Sequence, residues 1–296
     1  MYRKLEKLEL EKEYSPSSCI EDIQVYIARY AERSAQALWW ARETQSVLEN
    51  LPYGSSDAEK LDLFVPHCDV TNSKTLYIYL HGGVWQELDK SVSGFAATNF
   101  QQHGDYFAVI NYALLPDVNL AEIIEQNRRA IAYLYENASS FGFDPKRIVL
   151  IGSSGGAHIA AMMCATHWPK WRSDNDIKIS LPKNLVKGVV AISGIYDIEP
   201  ITNTDINDVL RLPEDQIAVY SPIRLKFKNN CPFVIAFGNN ETSEFKRQSK
   251  EFAAHLEQQC IVNSVLEIES RNHFDVVLDL ANVDSQLFKL SRGFEF

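Results

Sequence analysis

The chain has 296 residues, of which 46% are hydrophobic and 23% are charged, a composition typical of a globular protein with room for one large α/β domain. Its net charge is −10 and no cluster of Lys and Arg stands out, which argues against a nucleic acid or an anionic membrane as a partner. We expect the acidic balance to serve only solubility.

The first predicted element is a long helix over residues 20 to about 51. Apolar side chains recur there at helical spacing, and the helix is expected to stop at Pro52-Tyr53-Gly54. Three strands are predicted after it, because short segments alternate or are rich in aromatic and β-branched residues. These strands cover residues 60–65, 75–80 and 106–111.

The second half of the chain alternates between strands and helices. Strands are predicted at 148–151, 188–192, 233–237 and 265–268, and helices at 120–138, 157–166 and 244–259. Continuous apolar strands that alternate with helices predict a mostly parallel sheet with helices on both faces, the α/β class. We expect one domain over 1–296, with 1–51 as an N-terminal helical extension and 196–230 as an excursion over the active site.

The most informative stretch is the Gly-x-Ser-x-Gly motif between Gly152 and Gly156. It lies between a predicted strand and a predicted helix, which is the setting of a nucleophile elbow, where a serine occupies a sharp strand-to-helix turn. In this interpretation Ser154 is a covalent nucleophile and the protein is a hydrolase. The motif alone is also compatible with a Gly/Ser turn that carries no chemistry.

A serine hydroxyl needs a base, and the base needs an acid that orients it. In elbow proteins the chain order is Ser, acid, His. His273 lies in a loop after the last predicted strand, where it would reach the carboxyl edge of the sheet. His255 lies in the middle of a predicted helix, His158 lies inside the elbow helix, and His167 is too close to that helix. His273 is therefore the predicted base.

The acid is expected directly after the strand at 233–237. Glu241 is the carboxylate in that loop and is the predicted acid. Asp197 and Asp275 stay open as rivals. Asp197 comes one strand early, and Asp275 is too close to His273 in sequence to orient its ring easily.

Backbone donors for an oxyanion are predicted at a second glycine turn. His81, Gly82 and Gly83 follow the strand at 75–80, and glycines let the N–H groups turn toward a substrate carbonyl. The N–H of Gly82 or Gly83 would act together with that of Gly155, the residue after the nucleophile. His81 is expected to brace the loop, and a tight turn without a role is the alternative.

No metal or cofactor is predicted. The histidines are scattered without a His-x-x-x-His spacing, and no phosphate loop with its Lys is present. The cysteines are widely spaced, so free thiols are expected rather than a disulfide framework or a zinc site; they are Cys19, Cys68, Cys164, Cys231 and Cys260. We predict a cytoplasmic location from three features. The thiols are expected to be free, the N-terminus has no apolar signal segment, and the sequence has no apolar run of about 18 residues.

Longer motifs resemble those of the kynurenine formamidase (arylformamidase) family, a branch of the α/β-hydrolases. The resemblance runs nearly from end to end, from EYSPS at 13–17 through HGGVW at 81–85 to His273. The segments SGIYDIEP at 193–200 and SEFKRQS at 243–249 are far more specific than Gly-x-Ser-x-Gly, and they separate this branch from generic esterases.

This resemblance implies an α/β-hydrolase fold, no cofactor, no metal, and hydrolysis of N-formyl-L-kynurenine to L-kynurenine and formate. Carried over position by position, it implies Ser154 as the nucleophile, Glu241 as the acid and His273 as the base, with Gly82, Gly83 and Gly155 around the oxyanion. The expected partner is a small-molecule substrate, with neither nucleic acid nor membrane, and a homodimer stays open.

Four positions depart from the family pattern. Ser153 and Gly155 stand where the family commonly has His and Ala, Val84 stands where an aromatic residue is usual, and Glu241 stands in place of Asp. None of these changes removes a catalytic group, so hydrolysis remains the prediction.

The leaving-group pocket is the least defined part of the prediction. Trp85, Tyr196 and the segment 196–230 are candidate walls for an aromatic group, and each is equally a candidate for the core. Two rival functions stay open. One is an esterase or amidase of the same fold that acts on another small ester, amide or carbamate; the other is a hydrolase fold that only binds.

Overall fold

The computed structural model of the chain describes residues 5–66, 74–227 and 230–295, and in these ranges eight strands form one sheet. The strands are β1 (Val47–Pro52), β2 (Lys60–Phe64), β3 (Leu76–Leu80), β4 (Tyr106–Ile110), β5 (Ile148–Ser153), β6 (Gly188–Ile192), β7 (Phe233–Gly238) and β8 (Asn263–Ile268). The α-helices are α1 (Lys7–Glu13), α2 (Gln24–Glu43), α3 (Ala97–Gln102), α4 (Leu120–Glu136), α5 (Ala138–Phe141), α6 (Gly155–Ala165), α7 (Trp168–Asp174), α8 (Ile206–Leu210), α9 (Ser243–Gln258) and α10 (Gln286–Ser291).

The strand order is β1-β2-β4-β3-β5-β6-β7-β8. β2 is antiparallel to both β1 and β4, and the pairs from β4 through β8 are parallel. Since parallel strands end at one edge of a sheet, the loops after β3, β5, β7 and β8 meet there. This mostly parallel sheet with helices around it confirms the predicted α/β-hydrolase fold.

Alternate side chains of each strand enter two different core layers. Leu76 and Ile78 of β3 pack in one layer with side chains of α4, α6 and α9. Tyr77 and Tyr79 of the same strand pack in the other, with side chains of α2, α3 and α10. Both faces of the central strands are therefore covered, which explains why these strands are continuously apolar.

The strands predicted from the sequence correspond to β2 through β8, but the predicted helix over 20–51 is wrong at its C-terminal end. α2 ends at Glu43, the hydroxyl of Thr44 donates to the carbonyl of Trp40 at 2.8 Å, and Gln45 has a left-handed φ of 52°. Residues 47–52 then pair with β2. The helical spacing of the preceding residues masks this short strand, whose side chains alternate in burial and whose last residue, Pro52, pairs with Lys60 in a hairpin.

Residues 196–227 of the predicted excursion form only short helical turns and α8, with no strand in this part of the described chain. No helix of the described residues is long and apolar enough to cross a membrane. Within the described residues, no disulfide is formed by Cys19, Cys164, Cys231 or Cys260, and Cys68 lies outside the described residues.

Candidate active site

Ser154 occupies the sharp turn between β5 and α6. Its φ of 55° and ψ of −120° lie in a region that non-glycine residues rarely adopt, a strain typical of functional turns. The neighbouring backbone leaves no room for side chains on either side. A Cβ on Gly152 would lie 2.2 Å from the carbonyl oxygen of Gly156, and a Cβ on Gly156 would lie 2.0 Å from that of Leu80. The glycines are therefore required by the elbow itself.

His273 and Glu241 form a buried pair. His273 Nδ1 lies 2.9 Å from Oε2 of Glu241, and both side chains are almost fully buried. A carboxylate facing Nδ1 holds the proton on that nitrogen, which leaves Nε2 free to accept one. The His273 ring also packs against Phe245 and Phe274, with centroid distances of 4.4 and 5.4 Å, so its orientation is fixed by packing as well as by the hydrogen bond.

The other carboxylate oxygen of Glu241 is held from two sides. Oε1 accepts a hydrogen bond from the Ser193 hydroxyl at 2.6 Å and another from the N–H of Gly238 at 2.6 Å. Ser193 follows β6 and Gly238 ends β7. Groups at the ends of two neighbouring strands therefore hold the carboxylate in the orientation in which it faces the histidine. Sequence reasoning missed Ser193, because its partner is 48 residues away.

The rival acids and histidines have other partners. Asp197 forms an ion pair with Arg224 at 2.9 Å, and Asp275 accepts from the N–H of Asn272 at 2.7 Å. His255 Nε2 lies 2.9 Å from the carbonyl oxygen of Leu225. His158 and His167 are also paired elsewhere, with the carbonyl of Tyr220 and the N–H of Lys170.

The loop after β3 passes directly over the nucleophile. A Cβ on Gly82 would lie 2.9 Å from the carbonyl oxygen of Ser153 and 3.2 Å from Cβ of Ser154. Gly83 has a φ of 93°, and a Cβ there would lie 2.2 Å from the carbonyl oxygen of Glu87. Both positions therefore need glycine, and the loop backbone at Gly82 lies against the elbow residues Ser153 and Ser154.

His81 braces this loop, as the sequence predicts. Its Nδ1 lies 2.9 Å from the carbonyl oxygen of Gly82, its ring stacks on Tyr112 with centroids 4.1 Å apart, and the Tyr112 hydroxyl donates to its carbonyl at 2.7 Å. Burial lowers the pKa of His81 to about 4. A neutral, fully enclosed imidazole is a structural brace and not a catalytic base.

Ser154, His273, Gly82 and Gly83 line one cavity of about 340 Å³. Most of the remaining wall comes from two segments, one after β3 and one near the N-terminus. It is completed by Tyr79, Ser153, Ile206 and Phe274. The N-terminal contribution consists of residues 14–17, Ile23, Ile27 and Tyr30. Sequence reasoning did not place these residues at the site, although EYSPS at 13–17 belongs to the motifs of the family resemblance.

Ile206 of the candidate wall segment 196–230 lines the cavity, whereas the structure places the other two candidate walls, Trp85 and Tyr196, in the core. Both are fully buried and neither is among the residues that line the cavity. Trp85 packs under the elbow against Gly155 and edge-on to His158, at a centroid distance of 5.1 Å. Tyr196 stacks on Phe252 at 4.1 Å. An aromatic residue next to a site motif can serve either the pocket or the core, and sequence alone does not separate the two.

The described residues contain no group of three or more His, Cys, Asp or Glu side chains arranged to hold a metal ion. What they bring together is a serine at a strained elbow, a histidine–carboxylate pair and a glycine loop around one cavity. Chemically, this arrangement can form and hydrolyse an acyl-serine.

Comparisons with known proteins agree with this geometry. The sequence model of the BD-FAE family matches residues 61–256. The kynurenine formamidase of Danio rerio is 31% identical over 98% of the chain and 96% of its own length, and that of Salmo salar is 31% identical over the same shares. Among solved structures, a candidate thioesterase from a Silicibacter species superposes with a TM-score of 0.77 at 26% identity, covering 95% of this chain and 98% of its own.

Proposed function

The chain belongs to the kynurenine formamidase family of α/β-hydrolases and is a hydrolase, and we propose that it cleaves N-formyl-L-kynurenine to L-kynurenine and formate. The observation that carries the proposal is that Ser154 and His273 line one cavity and that His273 is paired with Glu241, in a chain similar to formamidases over nearly its whole length.

In the proposed first step, Oγ of Ser154 attacks the formyl carbonyl while Nε2 of His273 takes the hydroxyl proton. The negative charge on the former carbonyl oxygen is stabilised by backbone N–H groups of Gly82 or Gly83 and Gly155, each worth on the order of 10²–10³ in kcat. The C–N bond then breaks, and the aromatic amine leaves with the proton from His273. Ser154 is left as its formyl ester.

In the second step, a water molecule gives its proton to His273 and attacks the formyl ester. The tetrahedral species collapses, formate leaves, and the proton returns from His273 to Ser154. Glu241 stays ionised throughout and stabilises the imidazolium that forms twice in the cycle. Because a formyl group is small, specificity is expected mainly on the side of the leaving amine.

The test is an N-formylkynurenine assay monitored by product absorbance. Ser154→Ala should lower kcat by on the order of 10⁴–10⁶, whereas Ser264→Ala, which alters an exposed serine on β8, should match the wild type. An organophosphonate should form an adduct that maps to Ser154. Near-wild-type turnover by Ser154→Ala would contradict the mechanism, and a wild-type protein that forms no adduct would favour a fold that only binds.

An ester substrate is the second candidate, and the similarity to a candidate thioesterase favours it. The same machinery would cleave an ester, since only the leaving atom differs. Rates on N-formylkynurenine and on short-chain aryl esters discriminate the two functions. Turnover of the esters alone would replace the formamidase assignment with an esterase or amidase of another small substrate.

The proposed setting is the cytoplasm, with a freely diffusing small molecule as substrate. Four cysteines that form no disulfide within the described chain support a reducing compartment. A net charge of −10 without basic clusters argues against nucleic acid and anionic membranes. Cell fractionation tests this setting, and recovery with secreted or membrane fractions would contradict it.

A further inference from the structure

One wall of the catalytic cavity lies outside the part of the chain that matches the BD-FAE family. Residues 14–17, Ile23, Ile27 and Tyr30 line the cavity, and we call this set the N-terminal wall. The family match begins at residue 61 and includes Ser154 and Glu241. Ser154 and Glu241 therefore lie inside the matched range, whereas the N-terminal wall, like His273, lies outside it.

Glu13 attaches this wall to the start of α9. Its carboxylate oxygen Oε2 accepts hydrogen bonds from the hydroxyl of Ser243 at 2.8 Å and from the N–H of Glu244 at 2.9 Å. Its backbone carbonyl accepts from the Thr242 hydroxyl at 2.6 Å. A helix start has unpaired N–H groups and favours negative charge, so Glu13 caps α9 from a distant part of the chain.

Tyr14 provides the second attachment. It is buried, its hydroxyl donates to Oε2 of Glu244 at 2.9 Å and accepts from Nε2 of Gln248 at 2.6 Å, and the residue also lines the cavity. Gln248 Oε1 in turn accepts from the N–H groups of Tyr196 and Asp197. Tyr14 thus connects the cavity wall to the helix that begins two residues after Glu241.

The far end of the wall is also rigid. Ile23, Ile27 and Tyr30 follow the spacing of one face of α2. The Tyr30 hydroxyl donates to the carbonyl of Phe274, the residue after His273, and its ring stacks on Phe95 at 5.6 Å. Both ends of the N-terminal wall are therefore bonded to segments that carry catalytic residues.

We propose that Glu13 and Tyr14 are positioning residues that clamp the N-terminal wall onto α9 and thereby determine which leaving groups the cavity accepts. The clamp shapes the leaving-group side of the cavity without touching the acyl group. This inference rests on the proposed acyl transfer at Ser154 and not on the identity of the natural substrate.

The test compares two esters that share one acyl group, phenyl acetate and methyl acetate, on the double variant Glu13→Ala/Tyr14→Phe. We expect KM for phenyl acetate to rise about tenfold, the effect of losing a hydrogen bond to a charged group, and KM for methyl acetate, whose leaving group is much smaller, to rise far less. The control is Glu9→Ala, which removes a glutamate of α1 that bonds only within its own helix, and it should match the wild type.

Two results would overturn the clamp. An equal fall for both esters would mean that the clamp supports only the catalytic groups, and no change for either would mean that the wall needs no clamp. The rate of phosphonate labelling shows whether Ser154 stays reactive in the variant. Because esters are the probes, an enzyme that proves inactive on N-formylkynurenine still gives a clear answer.

The wall of the cavity also carries a negative charge. Glu87 is an exposed carboxylate on its wall, and no Lys or Arg lies among the described residues that line it. A negative charge at the rim attracts a cation and repels an anion across a distance within the Debye length, about 8–10 Å at moderate salt. The geometry points to Glu87 as the partner of a positively charged group on the leaving part of the substrate.

Aryl acetates that carry either a trimethylammonium or a neutral tert-butyl group test this role, because the two substituents have the same shape. Glu87→Gln should lower the ratio of kcat/KM for the cationic ester over the neutral one by about threefold, the scale of an exposed ion pair. Salt at about 0.5 M shortens the Debye length to about 4 Å and should remove this difference between the variant and the wild type. Asp117→Asn alters an exposed acid outside the cavity and should leave the ratio unchanged. An unchanged ratio in Glu87→Gln would overturn the inference.

Discussion

The Ser193 hydroxyl donates a hydrogen bond of 2.6 Å to Glu241, on the carboxylate oxygen opposite to the one that meets His273. Ser193 is fully buried and has a left-handed φ of 49°. A serine held in an unfavourable backbone conformation only to face a carboxylate indicates that this contact is functional.

Ser193→Ala should therefore lower kcat about tenfold with KM nearly unchanged, because the misaligned carboxylate orients the imidazole less well, a loss of the size expected for one hydrogen bond to a charged group. Ala accepts the left-handed φ no worse than Ser does, so the fold should persist. The matched control is Ser249→Ala, since Ser249 is a fully buried serine with no hydrogen-bond partner in the described chain. Equal kinetics for the two variants would contradict the role of Ser193.

The length of Glu241 is itself a testable feature. The side chain reaches Ser193, Gly238 and His273 at once, and an aspartate at this position would be one methylene too short to keep all three contacts. We expect Glu241→Gln to lower kcat by about 10⁴ and Glu241→Asp to fall between Gln and the wild type. Steady-state kinetics of the three proteins measure this order, and full activity of Glu241→Asp would show that the loop adjusts freely.

Two adjacent glycines of the elbow should respond in opposite ways to alanine. A Cβ on Gly155 would lie 3.4 Å from Trp85, an ordinary contact, whereas a Cβ on Gly156 would lie 2.0 Å from the backbone oxygen of Leu80. Gly155→Ala should raise the free energy of unfolding by about 0.5 kcal/mol, because Ala has less freedom to lose. Gly156→Ala should lower it by about 3 kcal/mol, because β3 and α6 must move apart.

Denaturant unfolding measures both changes. If Gly155→Ala destabilised the protein as much as Gly156→Ala, the space beside Gly155 would be too small for a methyl group.

The sequence was sufficient for the parts of this protein that follow local rules. β2 through β8 were visible as apolar segments, and Ser154, Glu241 and His273 follow from strand ends and chain order. The N-terminal wall could not be predicted, because it reaches the site through contacts between distant segments, from Glu13 and Tyr14 to α9 and from Tyr30 to Phe274. β1 is a different case, since it pairs with the neighbouring β2 in a hairpin, and the helical spacing of the preceding residues masks its short alternating pattern.

The choice between pocket and core, which the sequence leaves open for Trp85 and Tyr196, also depends on tertiary packing. Both lie in motifs beside the site, so their sequence positions suggest a pocket. Whether an aromatic ring faces a cavity or the core is decided by its neighbours, here His158 for Trp85 and Phe252 for Tyr196. Those neighbours come from α6 and α9 and become apparent only when the helices are packed.

Two buried histidines should make the protein less stable in mild acid. Burial lowers the pKa values of His81 and His158 from the usual 6.5 to about 4. His158 Nε2 lies 2.8 Å from the carbonyl oxygen of Tyr220 and must carry the proton, while Nδ1 is buried without a partner in the described chain. The folded protein therefore keeps both rings neutral well below the pH at which the unfolded chain protonates them.

The sign follows from proton uptake. Between pH 6.5 and 4 the unfolded chain binds more protons than the folded one, so the free energy of unfolding falls as the pH falls through this window and levels off below it. At pH 5 the loss is about 2 kcal/mol for each histidine. His158→Gln keeps a donor for Tyr220 but cannot titrate, so its loss of stability between pH 7 and 5 should be about 2 kcal/mol smaller than that of the wild type. Urea unfolding at the two pH values measures this difference, and the contributions of the carboxylates cancel because both proteins share them. Equal losses of unfolding free energy in the two proteins would show that His158 is protonated in the folded state.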